Sequence, residues 1–68
     1  MISKKKMRVW HYNNEGSAVA QPIGYADSVE VDRQTLKATG LLVINNKHDG
    51  EMMFAFNKNS WIRWDYYE

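Results

Sequence analysis

Residues 40–68 read GLLVINNKHDGEMMFAFNKNSWIRWDYYE, and the way this stretch divides decides the fold. Leu41 to Ile44 is a run of four branched aliphatic residues, the composition of a strand covered on both faces. Asn45 to Gly50 (NNKHDG) is polar and ends in Asp-Gly, a strong turn signal. Glu51 to Phe56 then alternates, with Met52, Phe54 and Phe56 on one face and Met53 and Ala55 on the other. Asn57 to Ser60 (NKNS) reads as a hairpin loop, and Trp61 to Tyr67 as the final strand. Three runs joined by short polar turns predict an antiparallel meander.

In the final strand, strict alternation puts Ile62, Trp64 and Tyr66 on the core face, with Ile62 and Trp64 packing on Phe54 and Phe56. Trp61, Arg63, Asp65 and Tyr67 then share the opposite face. A helical reading also exists, because Trp61, Trp64 and Tyr67 are three residues apart. The segment is too short for an isolated helix, and Trp, Ile and Tyr favour strands.

Working back from Gly40, Asp32 to Gly40 (DRQTLKATG) has two readings. Asp32 as an N-cap and Gly40 just past a C-terminus would enclose about two helical turns. The residues between them fill no convincing apolar stripe, so a tight turn followed by a strand is expected. Val29 and Val31 alternate with Glu30 and Asp32, which predicts a short strand at Ser28 to Asp32. Ala18 to Tyr25 (AVAQPIGY) contains Pro22 and Gly24, which confines it to an edge strand, a bent strand or an ordered loop. Asn13 to Ser17 (NNEGS) is a turn. Met7 to Tyr12 (MRVWHY) is a first strand, with Met7, Val9 and His11 facing one way and Arg8, Trp10 and Tyr12 the other. Residues 1–6 read as a flexible basic leader and residues 7–68 as one β domain. The expected architecture is a mainly β domain of five to six short strands. It is either an open antiparallel sheet or a small SH3-like or OB-like barrel, with room for one short helix.

Size and composition narrow the functions. A chain of 68 residues without cysteine has no disulfide or zinc-thiolate staple. Aromatic residues make up 13 % of it, which favours a packed core over disorder. Oligomerisation, with a homodimer as its simplest form, is the other source of stability open to so short a chain. Net charge is only +1, so neither a polyanion mimic nor a strongly basic nucleic-acid binder is indicated. No apolar run approaches the ~20 residues of a membrane-spanning helix. MISKKKMR carries charge without a following apolar stretch, so it does not read as a secretory signal, and a cytoplasmic protein is expected.

Chemistry-bearing motifs are missing. Ser3, Ser17, Ser28 and Ser60 lie in turns or boundaries, outside any nucleophile motif. His48, Asp49 and Glu51 lack a second nearby His at metal-ligand spacing, and read as a polar turn. His11 reads as a half-buried strand residue. Asp27, Glu30 and Asp32 are carboxylates along an apparently solvated stretch. The four glycines are dispersed, so no phosphate-cradling loop exists. No catalysis, cofactor, metal or small-molecule substrate is expected.

Binding remains. Trp61, Arg63 and Tyr67, with Trp10 and Arg8 as neighbours, combine rigid aromatics with arginine, the composition of a protein-recognition surface. The alternative is a nucleic-acid surface in which Lys4, Lys5, Lys6 and Arg8 meet phosphates while Trp10 or Tyr12 stacks on bases. In size and style the chain is similar to phage and mobile-element accessory proteins that bind and inhibit a host enzyme or defence factor. That similarity extends to no particular residue.

Overall fold

The computed structural model describes residues 4–68. Its elements follow the order β1 (Lys6–Tyr12), β2 (Ala18–Tyr25), β3 (Val29–Val31), α1 (Arg33–Thr39), β4 (Leu42–Asn46), β5 (Met52–Phe56) and β6 (Trp61–Tyr67). The strands form two three-stranded antiparallel sheets, ordered β2-β1-β6 and β3-β4-β5. Among the described residues the two do not join into a closed barrel. No described helix is long and apolar enough to cross a membrane. Of the expected leader, residues 1–3 lie outside the described residues, while Lys6 already belongs to β1.

Each sheet contributes its central strand to one shared core. Met7 and Val9 of β1 meet Leu42 and Ile44 of β4, and these four are the most completely buried large side chains. Ile23 and Val29 complete the cluster, and Leu36, Phe54, Phe56, Trp61 and Trp64 pack around it. Val43 points away from Leu42 and Ile44 and is buried as well, so β4 is covered on both faces, as its unbroken aliphatic run requires. On β5, Leu42 opposes Phe56 and Ile44 opposes Phe54, but the step to Asn45↔Met52 leaves Met53 as an extra residue, so Met52 departs from the expected Met52/Phe54/Phe56 face and is exposed. The two phenylalanine rings stack with centroids 6.2 Å apart.

At the level of elements, two expectations fail. The final strand does not extend a meander: β6 pairs with β1 and not with β5. The turns differ. Gly16 (φ 80°) and Gly50 (φ 75°) give the connections β1–β2 and β4–β5 the left-handed residue that tight hairpins use. Residues 57–60 contain no glycine, and no described non-glycine residue has positive φ. The Asn57–Ser60 turn is closed by Ser60 N–H donating to the Asn57 carbonyl (2.9 Å), and Tyr12 N–H then takes the Ser60 carbonyl (2.8 Å). The chain is thereby delivered to β1 in the other sheet.

Asp32 to Gly40, expected as turn plus strand, is the helix α1 with its two caps. The Asp32 carboxylate accepts from Thr35 N–H (3.1 Å) and from the Thr35 hydroxyl (2.8 Å). Gly40 takes the left-handed conformation, and its N–H donates to the Leu36 carbonyl (2.8 Å). Leu36 is the one apolar side chain of the described helix that packs against the core, which is why no apolar stripe is visible in the sequence. The caps, together with Asp32 N–H donating to the Val43 carbonyl (2.9 Å), do what a stripe would otherwise do.

Candidate functional site

The candidate site is the face of the β2-β1-β6 sheet turned away from the core. In an antiparallel ladder, opposed residues put their side chains on the same side. Lys6, Arg8, Trp10 and Tyr12 alternate with the inward Met7, Val9 and His11, so all four point outward. Their partners on β6 are Tyr67 opposite Lys6, Asp65 opposite Arg8 and Arg63 opposite Trp10. On β2, Tyr25 opposes Lys6, Pro22 opposes Arg8, Ala20 opposes Trp10 and Ala18 opposes Tyr12.

Two one-residue bulges set these faces. On β6 the register passes from Trp10↔Arg63 to His11↔Trp61, leaving Ile62 as the extra residue. Strict alternation fails there. Trp61, expected outward with Arg63, faces inward, packs on the core and stacks at 5.8 Å on Trp64. Its indole N–H donates to the Gly40 carbonyl (3.0 Å), tying β6 to the helix end. Ile62, expected in the core, is 40 % exposed. Tyr66 lies on the Trp64 side at the sheet's edge and is half exposed, while Trp64 packs on the core as expected. On β2 the step from Met7↔Gly24 to Arg8↔Pro22 leaves Ile23 extra, and this turns Ile23 into the core.

The outer face is organised around one carboxylate. Asp65 accepts from Arg8 Nε (2.7 Å) and Arg8 Nη2 (3.1 Å), a two-point fork. Arg63 Nη1 donates to it at 2.8 Å, and the Trp10 indole N–H at 3.4 Å. The donors hold Asp65 well below the usual carboxylate range, Arg8 first, then Arg63, against a smaller opposing effect of desolvation. The Arg8 pKa is raised in turn, chiefly by its hydrogen bond to Asp65. The cations also stack. The Arg8 guanidinium lies 4.7 Å from the Tyr67 ring centroid and 5.1 Å from that of Trp10, and Arg63 lies 5.1 Å from Trp10. Lys6 sits 5.7 Å over Tyr25. Where the face ends, Lys6, Pro22, Ile23, Gly24, Tyr25 and Tyr67 line a groove of about 450 Å³.

Of the residues expected to recognise a protein, Arg8, Trp10, Arg63 and Tyr67 are thus brought together, and Trp61 is set apart. Of the nucleic-acid set, Lys6, Arg8, Trp10 and Tyr12 fall on this same face. Lys4 and Lys5 precede β1, and the Lys5 carbonyl accepts from Ala26 N–H (2.9 Å). Asp65, the organising residue, and Tyr25 were not singled out from the sequence. Alternation put Asp65 on the face of Arg63, but its contact with Arg8 follows only from the pairing of β6 with β1.

Elsewhere, polar residues serve the turns. Asn46 accepts from His48 N–H and Asp49 from Glu51 N–H, so the NNKHDG segment is a hydrogen-bonded turn. His11 rests on Phe56 with ring centroids 5.2 Å apart. Among the described residues no group of three or more His, Asp or Glu side chains is placed to hold a metal ion. Comparison with protein-family models, curated proteins and solved structures gives no match.

Proposed function

We propose that the protein is a non-catalytic binding module that recognises another protein through the outer face of the β2-β1-β6 sheet. The observation that carries this reading is the Arg8–Trp10–Arg63–Asp65–Tyr67 cluster. Trp, Tyr and Arg are the residue types that dominate protein-recognition energetics. Here each cation is held against a ring or the Asp65 carboxylate before any partner arrives, so little side-chain freedom is left to lose on binding. Tyr12 and Tyr25, each about half exposed (49 % and 51 %), extend the surface at its two ends. Inhibition of a host or defence factor by such a phage-type accessory protein is one form this recognition takes.

The alternative is a single-stranded nucleic acid laid along β1, favoured by Lys6, Arg8, Trp10 and Tyr12 sharing one side of one strand. Against it, Arg8 and Arg63 are already engaged by Asp65, which among the described residues leaves Lys6 as the cation on this face without a carboxylate partner. Capture on tagged protein, with and without nuclease, separates the two. The protein reading expects a stoichiometric partner that survives nuclease and is lost with Trp10→Ala and Tyr67→Ala. Binding that disappears with nuclease, or weakens steeply with salt and with replacement of Lys4, Lys5 and Lys6, would establish the alternative.

A further inference from the structure

The charged residues of the β2-β1-β6 strands are Lys6, Arg8, Arg63 and Asp65, and the register sends all of them to the outer face. Three cations against one carboxylate give that face a net charge of +2, so the rest of a chain whose total is +1 is net negative. Arg8 and Arg63 are held by Asp65. Lys6 is not: among the described residues no carboxylate pairs with it, and its ammonium sits 5.7 Å over the Tyr25 ring. Lys6 is also the middle of a cross-strand row, with Tyr25 on β2 and Tyr67 on β6 opposite it on either side. The row stands beside the bulge at Ile23, which bends β2. There Pro22, Ile23 and the two tyrosines wall an open groove of about 450 Å³ around Lys6. That volume falls within the range of about 300–1,000 Å³ usual for binding pockets, and apolar walls around one charged group are the usual lining.

Resting on the reading of this face as a protein-recognition surface, we propose that the groove around Lys6 anchors the partner, and that its occupant is an extended acidic segment of that partner. The segment carries an Asp or Glu and, two residues on, an apolar side chain. In an extended chain that spacing puts both side chains on the same side. The carboxylate meets the Lys6 ammonium, and the apolar side chain packs on Pro22 and the Tyr67 ring. Charge complementarity selects an anion: the face is positive, and its one uncommitted cation stands in the groove. Arg8 adds to this from the side, 4.7 Å from the centroid of the Tyr67 ring that walls the groove. The lining selects a carboxylate with an apolar neighbour over a nucleic-acid strand. A strand brings a phosphate with every nucleotide, and beyond Lys6 the next cations on this face already hold Asp65.

The test is an NMR titration of the isotopically labelled full chain with the capped peptide acetyl-Thr-Glu-Thr-Leu-Thr-amide up to about 5 mM, and with its counterpart bearing Gln in place of Glu. Saturating amide shifts are expected around Lys6, Pro22 to Tyr25 and Tyr67, with a dissociation constant on the order of 1 mM. The Gln peptide is expected to bind about threefold or more weakly, the share of a partly exposed ion pair. Lys6→Gln should abolish that preference. Lys47→Gln, which removes the same charge from the exposed β4–β5 turn, should keep it. Both lysines are exposed, so neither change threatens the fold. Shifts that are absent or lie elsewhere, equal binding of the two peptides, or a preference that survives Lys6→Gln overturns the proposal. Tighter binding of a thymidine oligonucleotide than of the Glu peptide at the groove overturns it as well. Partner capture separates this failure from that of the outer-face reading. Capture that needs Trp10 but ignores Lys6→Gln overturns the groove alone, whereas capture indifferent to Trp10→Ala removes the outer-face reading and the groove with it.

Discussion

The two sheets are built from the same number of strands with the same antiparallel pairing, yet they manage their exposed surfaces differently. In β2-β1-β6, bulges at Ile23 and Ile62 turn extra residues, and the side left facing solvent is knit together by Asp65. In β3-β4-β5, the central strand is buried on both sides, and the bulge at Met53 lies on an uncharged edge strand that leaves Met52 and Met53 exposed. One sheet presents a face and the other an edge. The contrast separates residues that hold the fold from residues offered outward, and substitutions can attack it at each point.

The largest effect belongs to the strand that both sides cover. Leu42→Ala or Ile44→Ala removes a fully buried side chain, and is expected to cost about 2–5 kcal/mol in urea unfolding. For a chain this short, that is most or all of its stability. Next comes Trp61, which the bulge turns inward. Trp61→Ala is expected to cost about 3 kcal/mol, with Trp61→Phe recovering all but about 1 kcal/mol, the share of its hydrogen bond to Gly40. Equal stability of wild type and Trp61→Ala would return Trp61 to the outer face.

Gly40→Ala follows. A methyl group there would need positive φ and would lie 2.7 Å from Cγ of Lys58, so a loss of more than about 1 kcal/mol is expected by thermal unfolding. The smallest effect on the fold concerns the outer cluster, and it carries a pH signature. The Asp65 pKa is depressed in the folded state, so its stabilisation is complete above the unfolded value of about 3.9 and fades as pH falls towards the folded value. Asp65→Asn is therefore expected to unfold at lower denaturant than wild type at neutral pH. The gap should narrow below about pH 4. A gap that widens with acid would mean that Asp65 is not the charge holding Arg8.

Much of the fold was open to inspection in the sequence. The alternation of β1, the shared face of Phe54 and Phe56 on β5, the edge character of β2 and the double burial of β4 follow from residue type and period. What was hidden lay in two kinds of signal. A helix of seven residues held by Asp32 and Gly40 shows one apolar residue, so periodicity cannot reveal it although its caps can. A bulge has no sequence mark at all: Ile62 looks like any strand residue, yet it reverses the direction of Trp61. The destination of β6 was hidden as well. Connections carrying a left-handed glycine close hairpins here, and the glycine-free Asn57–Ser60 turn carries the chain to the other sheet. The site followed the same pattern. Arg8, Trp10, Arg63 and Tyr67 were found by alternation, whereas the role of Asp65 depends on the pairing of β6 with β1, which the sequence does not declare.

The most direct test compares Trp10→Ala with Trp61→Ala, measuring urea unfolding and nuclease-resistant partner capture on each. Trp10→Ala should shift stability by about 1 kcal/mol or less and abolish capture. Trp61→Ala should lose about 3 kcal/mol, while whatever fraction stays folded still captures the partner. The reverse outcome, with Trp10 needed for folding and Trp61 for capture, would contradict the division of this sheet into an inner face that folds and an outer face that binds.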